Sequence, residues 1–129
     1  MIFVSGGRSK QRNLAFKASS FAWMRLMPRI TRCEVNIELK KIIGYEGTCI
    51  DTDDREFHLE IDKRLKGDEF LTTIFHEMVH VKQLIKKEFY TELNFYKDRE
   101  EYLNLPWEVE AYRVQEELLD EWKSRRNRT

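Results

Sequence analysis

The chain has 129 residues, of which 41% are hydrophobic, and its 23 Lys and Arg residues balance its 23 Asp and Glu residues. This length favours one domain with one hydrophobic core over residues 1–129, and the absence of eighteen consecutive apolar residues argues against a transmembrane protein. We expect a soluble, cytoplasmic protein, because the amino terminus also lacks the uninterrupted apolar segment of a signal peptide.

The start of the chain is basic and predicts a helix. The first 33 residues contain seven Lys and Arg residues and no acidic residue. Such a segment could bind nucleic acid, although a solvated helix face explains the charge more simply. Between residues 13 and 30 the apolar residues recur at a density typical of a helix that packs on a sheet, namely Leu14, Phe16, Phe21, Trp23, Met24, Leu26 and Met27.

Three strands are predicted next, over residues 33–42, 45–51 and 55–62. Gly44 and the acidic turn at residues 51–54 separate them, and such short connections favour antiparallel neighbours. In the third strand apolar and polar residues alternate, which predicts one buried face and one solvated face. Cys33 and Cys49 lie on neighbouring strands, where they could pair, although buried free thiols are the simpler expectation.

Residues 76–80 read His-Glu-Met-Val-His, a spacing that points to a zinc-dependent hydrolase. The surrounding apolar residues recur at helical spacing, with Asp68 as the expected N-cap, and residues four apart share one helix face. His76 and His80 can therefore bind one Zn²⁺ ion, while Glu77 is offset from both and can act as the general base on a water. The alternative is two core histidines bonded to carbonyl groups.

A third ligand is needed, and the only other histidine, His58, lies upstream of the motif. A helix is predicted to start near residues 104–106, and a helical wheel of residues 107–122 places Glu108 on the apolar face. Glu110 falls outside that face and is the weaker candidate, facing solvent or supporting a ligand. An ordinary first-turn glutamate is the alternative role for Glu108.

These motifs resemble those of gluzincin zinc metallopeptidases, in which His-Glu-x-x-His is followed by a glutamate on a later helix, often as Glu-x-x-Ala. Here the second motif is Glu108 to Ala111, and the short layout over residues 33–122 is most similar to the one-domain minigluzincins. The resemblance implies hydrolysis of a peptide bond with His76, His80 and Glu108 as zinc ligands and Glu77 as base. It also implies that residues 55–62 form a sheet edge that pairs with an extended peptide or protein substrate.

One position departs from this family, because some gluzincins carry a histidine-orienting aspartate where this chain has Tyr112. An oxyanion donor is also required, and the candidates are Tyr112 on the ligand helix and Tyr102 just before it, with Tyr90 and Tyr96 further upstream. The strongly charged residues 86–103 are interpreted as a short helix or as a flap above the cleft.

The sequence therefore predicts an α+β, zincin-like fold with an N-terminal helix, a three-stranded antiparallel sheet, an active-site helix and a C-terminal ligand helix. Two other functions stay open. The chain could be a zinc-binding interaction or regulatory module without proteolytic activity, although such a module has no need of Glu77. It could also be a nucleic-acid-associated protease, but aromatic residues among the basic residues are too few to favour that function.

Overall fold

The structure, a computed structural model, describes residues 1–87 and 103–126. In chain order its elements are β1 (Ile2–Gly6), α1 (Ser9–Leu26), β2 (Glu34–Lys40), β3 (Gly47–Asp53), β4 (Glu56–Asp62), α2 (Gly67–Ile85) and α3 (Pro106–Arg126). The predicted α+β class is confirmed. None of the helices in these two described segments has the length and apolarity needed to cross a membrane.

The sheet differs from the prediction in both strand number and direction. It has four strands in the order β1-β2-β4-β3, with parallel pairing of β1 with β2 and of β2 with β4. Only β3 and β4 are antiparallel neighbours. The prediction of three antiparallel strands is therefore wrong, and the sheet is mixed.

The strand that the sequence analysis missed is β1, at one edge of the sheet. Its Ile-Phe-Val start has high strand propensity, and α1 is the crossover that a parallel β1–β2 pair requires. Gly6 ends the strand at φ +76°, where an added Cβ would lie 2.1 Å from the carbonyl oxygen of Leu39. Only glycine fits this close approach of two backbones.

The connection between β2 and β3, residues 41–46, explains why these strands are not neighbours. Crossing one intervening strand spans two strand spacings, about 10 Å, and six residues can reach about 20 Å. The backbone N–H groups of Asp62 and Lys63 hold the connection by donating to the carbonyls of Glu46 and Lys40 at 2.8 and 2.9 Å. The strand β4 can therefore occupy the centre of the sheet, where its apolar face is fully covered.

This order corrects the expected substrate edge. Residues 55–62 pair with β2 on one side and with β3 on the other, so they have no free backbone groups for an extended peptide. Within the described residues the outer strands are β1 and β3.

The helices pack on one face of the sheet. That face consists of apolar side chains that are at most 2% exposed, namely Val35, Ile37, Leu39, Phe57, Leu59 and Ile61. One aromatic residue from each helix closes the layer: the rings of Phe21, Phe75 and Trp122 lie 5.5–6.2 Å apart, centroid to centroid. Contacts of this kind fix the mutual positions of the three helices.

Several element boundaries also differ from the prediction. The first helix covers Ser9–Leu26 rather than residues 13–30, because Pro28 disfavours helical backbone in the residue before it. The helix with the His-Glu-x-x-His motif has Lys66 as its N-cap, and Asp68 lies in its first turn. The third helix begins at Pro106, in agreement with the prediction. Most of the predicted flap, residues 88–102, lies outside the described residues.

Candidate metal centre

The structure brings His76, His80 and Glu108 together at the contact between α2 and α3. The Nε2 atoms of the two histidines are 3.2 Å apart. Glu108 Oε1 lies 2.7 Å from His80 Nε2, and Glu108 Oε2 lies 3.4 Å from His76 Nε2. The helical spacing of the motif and the apolar face of α3 therefore predicted a cluster that the fold assembles.

The local sequence explains why these side chains point inward. On α3 the buried residues follow helical periodicity, and Glu108 lies within that buried stripe with 1% of its surface exposed. Both histidines of α2 are 8% exposed. Glu110, the alternative ligand, is not part of the cluster, so the structure favours Glu108 in that position.

A buried glutamine fixes the orientation of His80. Gln83 is completely buried, and its Nε2 donates to the backbone carbonyl of Trp107 at 2.9 Å and to Glu110 Oε1 at 2.8 Å. Because these two acceptors assign its amide nitrogen, its oxygen must face His80 Nδ1, at 2.7 Å. The Nδ1 of His80 is therefore the protonated nitrogen. Glu110 supports the site through Gln83, one of the roles that the sequence analysis left open for it.

A second glutamine does the same for His76. Gln115 Nε2 donates to Glu116 Oε1 at 3.2 Å, so Gln115 Oε1 faces His76 Nδ1, at 2.8 Å. The sequence analysis missed the roles of both glutamines. The available signals were the spacing of three residues between His80 and Gln83 and of seven between Glu108 and Gln115, which place each pair on one helix face.

These tautomers make the cluster a fit for a metal ion. With Nδ1 protonated on both neutral rings, the two Nε2 lone pairs face each other and the Glu108 carboxylate. Lone pairs at this separation repel, and a cation among them turns the repulsion into coordination. A tetrahedral zinc site with bonds of 2.0–2.2 Å has donor atoms about 3.4 Å apart. Two separations in the cluster, 3.2 and 3.4 Å, are close to this value, and the third, 2.7 Å between His80 Nε2 and Glu108 Oε1, is shorter. The residues can hold a divalent cation without rearrangement of the fold.

The charged groups of the site shift one another's pKa. When the Nε2 atoms carry protons instead of facing a metal ion, they donate to Glu108. Burial favours the neutral form of Glu108, but these hydrogen bonds from His76 and His80 outweigh this and lower its pKa to about 2. Burial also lowers the pKa of His80, yet the hydrogen bond to Glu108 and the charge of Glu77 raise it overall.

Glu77 lies beside the cluster and is 6% exposed. Burial raises the pKa of its carboxyl group, and this effect exceeds the opposing one of the two histidines. A raised pKa brings a carboxylate closer to the range in which it works as a general base. The neighbouring Cys49 on β3 also has a raised pKa, first through burial and then through the charge of Glu77. Cys33 and Cys49 are both free thiols, as expected.

A cleft of about 710 Å³ opens beside the cluster. Its lining includes His76 and Glu108 of the cluster, the neighbouring Glu77, the connection between β2 and β3, and the start of β3. Gly47 begins β3 and allows it to approach α2, because an added Cβ would lie 2.8 Å from Thr73 Cγ2 and 3.0 Å from the Glu60 carbonyl oxygen. The edge strand β3 and the cluster of His76, His80 and Glu108 therefore lie at the same cleft.

The tyrosine candidates separate into two groups. The Tyr112 ring packs against the His76 ring, with centroids 4.6 Å apart, and Tyr112 is 45% exposed at the cleft. Tyr112 therefore does not belong to the buried face of α3. The other three, Tyr90, Tyr96 and Tyr102, lie outside the described residues.

Comparisons of the chain with models of protein families, with curated proteins and with solved structures gave no match. The functional interpretation therefore depends on the chain's own residues and on their geometry.

Proposed function

We propose that the chain is a zinc-dependent metallopeptidase with a gluzincin-type, zincin-like centre, in which His76, His80 and Glu108 hold Zn²⁺ and Glu77 is the general base. The observation that carries this proposal is the convergence of two oriented imidazole lone pairs and a buried carboxylate beside a second buried carboxylate in an open cleft. A structural zinc site has four protein ligands and no use for the second carboxylate.

The choice of zinc follows from the ligands. Two imidazoles and one carboxylate suit Zn²⁺, and three protein ligands leave a coordination position open towards the cleft. Zn²⁺ bound there supplies a Lewis acid that polarises a peptide carbonyl and lowers the pKa of a water.

The side chains of the cleft divide the remaining work. Glu77 takes a proton from the attacking water and later delivers it to the nitrogen of the leaving amine. Tyr112 lies on the ring of His76 at the cleft, where its hydroxyl is a candidate donor to the developing oxyanion. Tyr102 stays a second candidate for that role.

The outer edge of β3, which no other described strand pairs with, is the proposed position of an extended substrate, rather than β4. This strand begins in the cleft at Gly47 and continues to Cys49, which lies close enough to Glu77 to respond to its charge. A peptide that adds a strand to β3 passes beside the general base. Backbone hydrogen bonds then determine its position, and side-chain pockets contribute less.

Metal content and cleavage of casein test the proposal together. We expect the wild type to hold zinc and cleave, Glu77→Gln to keep zinc but lose about 10²–10⁴-fold in rate, and Glu108→Ala to lose zinc. Matched controls are Glu69→Gln, an exposed site on α2, and Glu117→Ala, an exposed site on α3. Zinc binding with no cleavage of casein or of a peptide library indicates a binding module, and no zinc binding refutes the site.

The substrate position has its own test, on any peptide that the wild type cleaves. A series of copies carries one backbone N-methyl group each, which removes one hydrogen-bond donor without changing a side chain. We expect alternate positions near the cleaved bond to lose rate, as strand pairing requires. Equal rates at all positions would exclude pairing with β3.

A further inference from the structure

The sheet face opposite the helices carries a second group of metal-ligating side chains, Glu38 on β2 with His58 and Glu60 on β4. His58 Nε2 lies 3.3 Å from Glu38 Oε1 and 3.8 Å from Glu60 Oε2, and one donor atom from each residue lies within 4.8 Å of the others. The group is partly exposed and shares no residue with the cluster on α2 and α3. It does not depend on the proposed peptidase function.

The strand register explains both the grouping and its electrostatic cost. In the parallel pairing of β2 with β4, Glu38 stands directly opposite Glu60, and Glu34 stands directly opposite Glu56. Like charges in directly opposed positions destabilise a sheet. His58 is two residues before Glu60 and therefore lies diagonally across from Glu38, so its ring reaches between the two carboxylates.

The protein's own cations only partly relieve this repulsion. Lys40 Nζ lies 3.1 Å from Glu60 Oε2, but both side chains are solvent-accessible, and such pairs contribute little. The Nε2 atom of His58 is within hydrogen-bond distance of Glu38 Oε1, at 3.3 Å, but not of Glu60 Oε2, at 3.8 Å. One imidazole nitrogen and two carboxylates therefore converge with hydrogen-bond contact between His58 and only one of them.

We propose that Glu38, His58 and Glu60 form a second divalent-cation site, with Zn²⁺ as the ion that suits one imidazole and two carboxylates. Donor atoms of a tetrahedral zinc site lie about 3.4 Å apart, and the two measured distances from His58 are 3.3 and 3.8 Å. Bound there, the ion ties the two central strands of the sheet together. It binds more weakly than at the buried cluster, because solvent competes and no glutamine orients the ring of His58.

A zinc titration of the whole chain, with the imidazole ¹⁵N signals of its three histidines as readout, tests the site. We expect the His58 signals, assigned by their loss in His58→Gln, to shift upon binding of the second Zn²⁺ equivalent. Glu60→Gln should lower the affinity for the second Zn²⁺ at least about tenfold, since even the loss of a residue that only supports a metal ligand has an effect of that size. Glu56→Gln removes the same charge from the same face of β4 but does not remove a ligand. This variant should change the affinity for the second Zn²⁺ by less than about threefold.

The outcomes separate this site from the proposed function. His58 signals that stay unchanged to millimolar zinc, or an equal weakening by Glu60→Gln and Glu56→Gln, would overturn the second site. Neither result depends on His76 and His80, whose own signals report the buried cluster in the same spectrum. Conversely, a His58 shift without any shift of His76 or His80 supports the second site and refutes the buried one.

Discussion

Two groups of histidine and glutamate lie on opposite sides of this sheet, and they differ chiefly in what surrounds the ligands. At the buried cluster, Gln83 and Gln115 fix both imidazoles, and the side chain of Glu108 is 2% exposed. At the open-face group, the side chains of His58 and Glu38 are 31% and 40% exposed. The buried cluster therefore differs from the open-face group in the burial and orientation of its ligands, as well as in having two imidazoles instead of one.

The largest difference between the two groups should appear when one carboxylate is removed from each. We expect Glu108→Ala to weaken zinc binding at the buried cluster by more than about 100-fold, because Glu108 is the only carboxylate among the three proposed ligands. Glu60→Ala should leave that cluster unchanged. Competition with a chelator of known affinity measures both effects. An equal loss of zinc affinity at the buried cluster in the two variants would remove the distinction between the groups.

Removing the glutamines tests preorganisation directly. We expect Gln83→Leu to weaken zinc binding about 10–100-fold, since His80 loses the acceptor that fixes its ring. The change also removes the hydrogen bonds that Gln83 donates to the Trp107 carbonyl and to Glu110, at a cost of about 1–3 kcal/mol in the free energy of unfolding. Gln115 is only partly buried, so water can replace it and Gln115→Leu should have the smaller effect on both quantities.

Chelator titration and urea unfolding of the two variants provide the measurements. Arg113→Leu, an exposed change on α3, is the control. If Gln83→Leu binds zinc as tightly as the wild type, the ring of His80 needs no orienting partner and the explanation given above is wrong.

The stability of the metal-free protein should depend on pH through the charged groups of the buried cluster. The lowered pKa of Glu108, about 2, stabilises the fold above pH 4.5 and is lost as the pH falls towards 2. The raised pKa of His80 stabilises the fold below pH 6.5 and is lost as the pH rises through the folded-state value. We expect this pair to give maximal stability between pH 4.5 and 6.5, with a loss on the acid side of about 3 kcal/mol.

Zinc should move that maximum to higher pH, because it binds the deprotonated ligands. Urea unfolding at several pH values, with and without zinc, is the measurement, and Glu108→Gln should flatten the acid limb. The control His58→Gln keeps the buried pair intact. A metal-free wild type with the same acid limb as Glu108→Gln would contradict the electrostatic coupling within the buried cluster.

The smallest effect is expected where β4, the strand shared by the two regions, leads into the cleft. Asp62 accepts hydrogen bonds from Arg64 at 2.9 and 3.1 Å, and Arg64 also donates to the carbonyl of Ile42. Arg64 lowers the pKa of Asp62, so this contribution is present at neutral pH and is lost in acid. We expect Asp62→Asn to cost about 1 kcal/mol at pH 7 and less at pH 3, because the arginine is exposed.

Urea unfolding of Asp62→Asn beside wild type at both pH values measures this contribution. Zinc affinity at the buried cluster should stay within about twofold of wild type, since neither residue touches a ligand. A larger change in affinity would mean that the connection at residues 41–46 controls the cluster.

The buried cluster was largely predictable because its information is local. The four-residue spacing of His76 and His80 and the periodicity of α3 both depend on helix geometry, which each segment carries by itself. The orientation of the rings was not predictable, because it depends on which amide atoms of Gln83 and Gln115 face other elements. The fold was predictable as far as α1 and the strand segments, while β1 was missed because its signal is only three residues long.

What the sequence by itself determined is the set of amphipathic elements and the chemistry that two of them carry. Alternation in residues 55–62 specified which side chains face the core, as the structure confirms with Phe57, Leu59 and Ile61. Only the tertiary structure decided strand order and register, because pairing between β2 and β4 joins residues more than twenty positions apart. Within the described part of the chain, that long-range pairing made β3 the outer strand beside the cleft and placed Glu38 opposite Glu60.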